Sequence, residues 1–542
     1  MSRIFFTRAD FLYPLLLASV ALALFLTGAP THDAFSWSDA PRHALNGAFV
    51  LDLLRDMPLH DPVRYAYNYY AKYPALTILF YPPLFYLFLA LFYALFGVSQ
   101  TSALMAEFVC YVALAAASYR LARFWLEPSA AFGAGLILVG APEIAYWGRQ
   151  VMLEIPSFAL MAWSVVFFIR HLREKRAAWL YVAAALAILA MYVKLTTVFI
   201  LPVYLAVLLQ RRGVALFKDR HAYIVALLTI VAVVPLVVMT FKFGQANVQS
   251  ISGVADERVS RSSLIGWIWY AYQMPGQLGW PALVAAVTGL VFALRKRSGW
   301  SEFAPLVWWL GIGYLFFSAI SLKEARHSIL LLLPLAVFAA VGLQRLLASR
   351  PTLGNGAIIL VGVLTLCQTT FARPVEYVAG YDKVADYIAR VAPKDSVVVF
   401  SGYRDGSFIF AMRTHPERQD LSVVRSDKLL LRVSIRRGLG VQQKKISEEE
   451  IVARLDHLGV KYVVAQPNFW TDLREMRRFQ NVLHGSHFRE VRSFSMRANY
   501  NAKDKKLIVY RNLDHVARGP VQLDIAIPMI HGTISGTIGK QK

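Results

Sequence analysis

The sequence predicts a polytopic α-helical membrane protein of about eleven spans with a C-terminal soluble α/β domain. Three observations carry this. First, 57% of the 542 residues are hydrophobic and 17% charged, whereas soluble domains are about half apolar and about 25% charged; mean hydropathy is +0.46. Second, up to about residue 373 the charge sits mostly between long apolar runs, and beyond it charge is dense. Third, much of the net charge of +23 lies in short connections between apolar runs. That is the pattern of membrane topology, and it points to anionic lipid headgroups rather than nucleic acid as partners. The expected division is 1–373 in the bilayer and 374–542 outside it.

A helical span needs about 20 mainly apolar residues. The candidate runs are 11–28, 76–97, 102–119, 129–147, 155–170, 178–193, 195–209, 221–243, 278–294, 303–320, 327–346 and 355–372. The first lacks a small-residue cleavage site and reads as a retained span. Several are short, so tilted or partial helices are expected. Cys110 and Cys367 lie in apolar runs and suggest neither a disulfide framework nor a metal-ligand spacing.

Positive charge sets direction. Arg3 and Arg8 put the N-terminus in the cytoplasm. Arg170 to Arg176, Arg211 to Arg220, Arg295 to Arg297 (with Lys296), Arg345 with Arg350, and Arg120 with Arg123 mark further cytoplasmic connections. Runs 178–193 and 195–209 then form a hairpin with Lys194 at its outer tip. The connections 29–75, 148–154, 244–277 and 321–326, and the C-terminal domain, become extracytoplasmic. The crossing from residue 75 to residue 120 must be odd in number, so one of 76–97 and 102–119 is expected to be a juxtamembrane or partial helix. In a cell with an inner membrane, this is a multi-pass protein of that membrane.

After Arg373 the pattern turns to short β-like runs and amphipathic helices. Ser396–Phe400, Phe408–Met412, Leu421–Val424, Lys461–Ala465 and Leu507–Tyr510 read as strands. Tyr381–Val391 and Ser447–Leu458 read as helices, the second opened by Ser447 and Glu450 at capping-box spacing. No phosphate loop, metal cluster or nucleophile motif is visible in it. Acceptor recognition or shielding of a membrane site is the expected role, and 515–542 is expected to be loosely ordered.

Ionisable groups are expensive in a bilayer, so chemistry is expected in outer connections or near span ends. The connection after the first span is about 45 residues, long for a linker. It holds Trp37, Asp39, Arg42 and His43. Asp39 reads either as a general base or as a helix-start residue ahead of Pro41. Tyr81-Pro82-Pro83-Leu84, with Lys72 upstream, reads as a helix entry at the membrane surface. Arg149 to Pro156 places Glu154 among apolar residues, as a ligand group or an interfacial cap. Lys194 interrupts an apolar stretch, and Lys323, Glu324, Arg326 and His327 open another. These cations read as phosphate contacts or as snorkelling anchors.

In order and context, these residues resemble a GT-C superfamily glycosyltransferase over about 10–345. The chain is most similar to bacterial relatives of protein O-mannosyltransferases and lipid A aminoarabinose transferase, which are glycosyltransferase family 39-like. The family has an acid in the first outer loop, here Trp37-Ser38-Asp39, and a Pro-Pro-Leu signature opening an aromatic-rich run, here Tyr81 to Gly97. A second acid before proline follows, here Met152 to Pro156; then a Lys-x-Thr block, here Lys194 to Pro202; then a late Arg opening a Leu/Pro-rich span, here Arg326 to Pro334. Two positions depart from the pattern: Ala40 replaces the second acid of the first loop, and Tyr81 stands where the family has His or Lys.

The resemblance implies a polyprenyl-phosphate sugar donor, an envelope acceptor (lipid, glycan or protein) and inversion. It implies Asp39 and Glu154 as catalytic groups, with Lys194, Arg326, His327 and Tyr81 at the donor phosphate. Arg42, His43, Lys72 and Arg149 are expected substrate contacts. It makes no cofactor certain and leaves a divalent metal open. Two rival readings are a lipid or solute transporter, which usually shows internal repeats and broken midplane helices, and a non-catalytic envelope assembly protein.

Overall fold

The computed structural model describes residues 7–31, 35, 37–252, 259–260, 262–295, 297–372, 374–433, 437, 440–514, 520–527 and 532–538. Arg3, Lys296 and Arg373 lie outside the described residues. Among the described residues, eight helices are long and apolar enough to cross a membrane: Ala9–Gly28, Gln100–Ala122, Glu154–Glu174, Leu195–Lys218, Arg220–Phe243, Gly299–Ala319, Ala325–Leu346 and Pro351–Phe371. Four shorter apolar helices stand beside them: Leu84–Phe96, Pro128–Gly140, Ala177–Val193 and Trp280–Arg295. This is a multi-pass membrane protein with a C-terminal mixed α/β region.

Several runs differ from their sequence outline. Run 76–97 becomes helical only at Leu84, after Pro82 and Pro83. Its 13 residues rise about 20 Å, short of a bilayer core of about 30 Å, whereas Gln100–Ala122 has 23. Run 129–147 is two helices, Pro128–Gly140 and Pro142–Trp147, because Pro142 has no N–H and disfavours helical backbone at Ala141. The connection 29–75 contains helices Ala40–Asp56 and Pro62–Lys72. The connection 244–277 contains most of Leu264–Leu278.

The basic clusters gather at one end of the bundle. There Arg211 donates to the Ser301 carbonyl at 2.8 Å, Arg123 to Asp10 at 3.0 Å, and Arg173 to the Phe124 carbonyl. Helices Trp280–Arg295 and Leu332–Leu346 cross nearly backbone to backbone. A Cβ on Gly289 would lie 1.9 Å from the Phe338 carbonyl oxygen, and one on Gly342 2.2 Å from that of Ala285. Small residues permit such approaches in membranes. Gly289→Ala is expected to force these helices apart and cost about 1–3 kcal/mol, read as a lower melting temperature in detergent.

The C-terminal region is built on a five-stranded sheet: β1 Val397–Ser401, β2 Ser422–Arg425, β3 Val460–Ala465, β4 Phe488–Ser495 and β5 Lys506–Asn512. The order is β2-β1-β3-β5-β4, with β1 parallel to β2 and β3, and β5 antiparallel to β3 and β4. Helices Tyr381–Val391 and Glu448–His457 flank it, the latter with a full Ser447/Glu450 capping box. The expected strand Phe408–Met412 is instead part of helix Asp405–Arg413. Every residue of that helix is buried, so no polar face marks its period. Within 515–542, Val521–Ile527 and Gly532–Ile538 form an antiparallel hairpin. It is tied to helix Pro62–Lys72 by the Thr537 N–H donating to Asn68 at 3.0 Å. That part is ordered where loose chain was expected; the rest of 515–542 lies outside the described residues except residue 520.

Candidate active site

Four segments bring ionisable side chains to the end of the bundle away from the basic clusters. Asp39 precedes helix Ala40–Asp56, which has proline in its first turn, and its side chain makes no cap hydrogen bond. Glu154 lies in the first turn of Glu154–Glu174 and is 3% exposed. Lys194 stands at an extended break between Ala177–Val193 and the 3-10 turn Leu195–Phe199. Arg326 lies in another 3-10 turn, Ala325–Leu331, leading into Leu332–Leu346. Both cations thus sit where regular helix gives way to 3-10 turn, which frees them from the apolar faces of the helices.

Arg326 is the hub. Its Nη1 is 3.5 Å from Asp39 Oδ2, its Nε is 3.6 Å from Glu154 Oε1, and Nε also donates to Glu324. Lys194 Nζ donates to Glu154 Oε1 at 2.7 Å. The guanidinium lies 5.3 Å from the Trp37 ring and 5.9 Å from that of Trp147, an aromatic wall that favours a cation. His327 Nε2 is 3.7 Å from Glu324 Oε2. Asp39 is the most exposed of the three carboxylates, its side chain 29% exposed against 20% for Glu324 and 2% for Glu154. Buried Glu154 Oε2 has no hydrogen-bond partner.

The other expected site residues divide. His43 is buried, with Nδ1 2.9 Å from the Tyr86 hydroxyl and its ring 5.1 Å from that of Tyr81. Burial pulls its pKa down to about 4, with Asp39 and Glu154 opposing. Burial likewise raises the Tyr81 phenol. Arg42, Lys72 and Arg149 do not join the Arg326 cluster. Arg42 Nη2 donates to both oxygens of Asp405 at 3.0 and 2.9 Å, and Lys72 donates to the Gln419 carbonyl. Arg149 is buried, its Nε donating to the Ala145 carbonyl at 2.7 Å. Sequence reasoning assigned no role to Glu324, Trp147 or Glu107. Glu107 is fully buried within Gln100–Ala122, and its Oε1 lacks a partner. Its signal, an acid inside an apolar helix, is legible.

His43 gives a pH prediction. Between pH 6.5 and about 4 the unfolded chain binds a proton that folded His43 does not. Stability should therefore be full above 6.5 and fall as pH drops towards 4, by up to roughly 3 kcal/mol. Melting temperatures across pH 4–7 should fall less in His43→Gln than in the native chain.

A divalent ion does not fit these residues. Asp39, Glu154 and Glu324 all face the Arg326 guanidinium, which fills the position a metal would take between them. No group of three His, Cys, Asp or Glu with metal-holding geometry occurs among the described residues.

Residues 81–239 match the family described as dolichyl-phosphate-mannose-protein mannosyltransferase. The chain also superposes on ArnT from Cupriavidus metallidurans bound to undecaprenyl phosphate, with a TM-score of 0.61 at 15% identity, covering 95% of this chain and 100% of that one. The chain shares its fold with ArnT. Two further structures agree in fold. The apo oligosaccharyltransferase of Archaeoglobus fulgidus gives a TM-score of 0.56 at 12% identity, covering 93% of this chain and 76% of that one. AglB from the same organism, in complex with an inhibitory peptide and a dolichol-phosphate, gives 0.53 at 12%, covering 92% and 75%. No curated protein matches the sequence. The matched segment includes Tyr81, Glu154 and Lys194; Asp39 and Arg326 lie outside it.

Proposed function

We propose that this protein is a glycosyltransferase that moves a sugar from a polyprenyl-phosphate-linked donor to an envelope acceptor, with inversion, on the extracytoplasmic face. The observation that supports it is the convergence of Asp39, Glu154, Lys194 and Arg326, from segments up to 287 residues apart, at the end away from the basic clusters. By the positive-inside rule that end faces away from the cytoplasm, with 1–373 in the bilayer and 374–542 outside. The lipid phosphates named for the similar structures support the donor class.

In this reaction an acceptor hydroxyl or amine attacks the sugar's anomeric carbon. The bond from that carbon to the phosphate oxygen breaks, and its electron pair stays on the phosphate. Asp39, accessible and loosely paired, takes the acceptor's proton. Lys194 and Arg326 stabilise the charge growing on the leaving phosphate. Glu154 holds both cations in place through Oε1. Tyr81 and His327 border the phosphate position.

The test is transfer by purified protein in nanodiscs, from radiolabelled polyprenyl-phosphate sugars to native membrane extract. Label should move from lipid to acceptor. Folded protein that neither transfers label nor binds donor lipid would overturn the proposal in favour of transport or assembly.

A further inference from the structure

Helix Asp405–Arg413 of the C-terminal region lies along helix Ala40–Asp56, the helix that Asp39 precedes. Two ion-pair latches join them. Near the start, Asp405 is buried between Arg42, at 2.9 Å, and Arg425, at 2.7 Å. Near the end, Arg413 forks onto Asp52, with Nη2 2.5 Å from Oδ1 and Nε 3.1 Å from Oδ2, and Nε also reaches the Tyr69 hydroxyl. One helix presents Arg then Asp; the other presents Asp then Arg. Only the parallel register satisfies both pairs, since the reverse would set Arg42 against Arg413. Gly406 allows close approach: a Cβ there would lie 3.0 Å from Pro41 Cγ.

The same region grips the chain just before Asp39. Arg404 Nη1 donates to the Phe35 carbonyl at 3.3 Å, and the Phe35 ring meets Phe410 edge-on at 5.4 Å. Asp39 is therefore bracketed at residues 35 and 42 by one short helix and the residue leading into it. Buried, fork-paired charges of this kind fix register and orientation.

We infer that helix Asp405–Arg413 is a positioning element, which sets Asp39 against the acceptor through Arg42, Asp52 and the Phe35 carbonyl. This rests on the proposed role of Asp39. It gives the C-terminal region a part in the chemical step, separate from acceptor recognition. Arg42 acts through the helix it anchors and is not itself a substrate ligand.

The test uses full-length Arg42→Gln and Arg413→Gln, with Arg42→Lys as the conservative variant and Arg437→Ala as a control at an exposed ion pair. In substrate-free protein, hydrogen–deuterium exchange over 35–45 should rise in both Gln variants, while β1, β3 and β5 keep their protection. Transfer should lose about 10- to 100-fold in kcat with donor KM nearly unchanged, the signature of misplacement. Arg42→Lys should recover part of the loss, and Arg437→Ala should match the native protein. Unchanged exchange over 35–45, or a loss confined to KM, would overturn the inference. Full activity in Asp39→Asn would instead overturn the base assignment, and the exchange result would still report on the bracket.

Discussion

Asp39→Asn is expected to cut transfer by about 10²–10⁴-fold, the range of general base catalysis, while donor-lipid binding stays close to native. Asn keeps the shape of the side chain and can still accept a hydrogen bond from Arg326, so the helix start should survive. What it lacks is a site for the acceptor's proton. Asp39 makes no cap hydrogen bond and its contact with Arg326 is long, at 3.5 Å, so the structural cost should be small. The measurement is label transfer beside donor binding on one preparation. Native activity in Asp39→Asn would remove the base from the mechanism.

Arg326→Ala should have the largest combined effect. It removes the one group that Asp39, Glu154 and Glu324 share. Glu154, with a side chain 2% exposed, would be left with Lys194 alone. Removing one partner of a buried pair costs up to about 3–5 kcal/mol when a charge is stranded; Lys194 still partners Glu154, so the cost should lie at the lower end of that range. A marked fall in melting temperature is expected, together with loss of donor-lipid binding. Glu154→Gln is the complementary variant: the amide keeps the side chain's shape and can still accept a hydrogen bond from Lys194, so it should melt closer to native while loosening Lys194 and Arg326. If Arg326→Ala bound donor lipid as the native protein does, the phosphate would have to sit elsewhere.

Much of this site could be read from the chain, for a physical reason. Asp39, Glu154, Lys194 and Arg326 are ionisable residues at the margins of apolar runs, where solvation makes each one conspicuous. Charge-based topology put them on one side, and the structure places them within 4 Å of one another in pairs. Arg42 and Lys72 could not be read this way. Their partners, Asp405 and Gln419, lie 363 and 347 residues along the chain, and local pattern carries no trace of such pairing. Glu324 was hidden by its neighbours: Lys323 and Arg326 make its stretch look basic, yet it forms the closest carboxylate contact to the hub. Helix Asp405–Arg413 was misread as a strand because burial on every side leaves no alternation to count. The broken run at Pro142 shows the limit of counting apolar residues, since length alone does not make a span continuous.

The carboxylates around Arg326 also bear on how the reaction would end. Asp39, Glu154 and Glu324 face Lys194 and Arg326, so the resting cluster holds one negative charge too many. The donor phosphodiester carries a single charge, whereas the lipid monophosphate left behind carries about −1.5 to −2 near neutral pH. On the proposed mechanism, while Asp39 holds the acceptor's proton the cluster carries no net charge and repels that product less than the resting cluster would. Once the proton escapes to water, the restored carboxylate repels a dianion more strongly than it repelled the incoming donor. Deprotonation of Asp39 would thus act as an electrostatic eject step, tying departure of the spent lipid to resetting of the base for the next cycle.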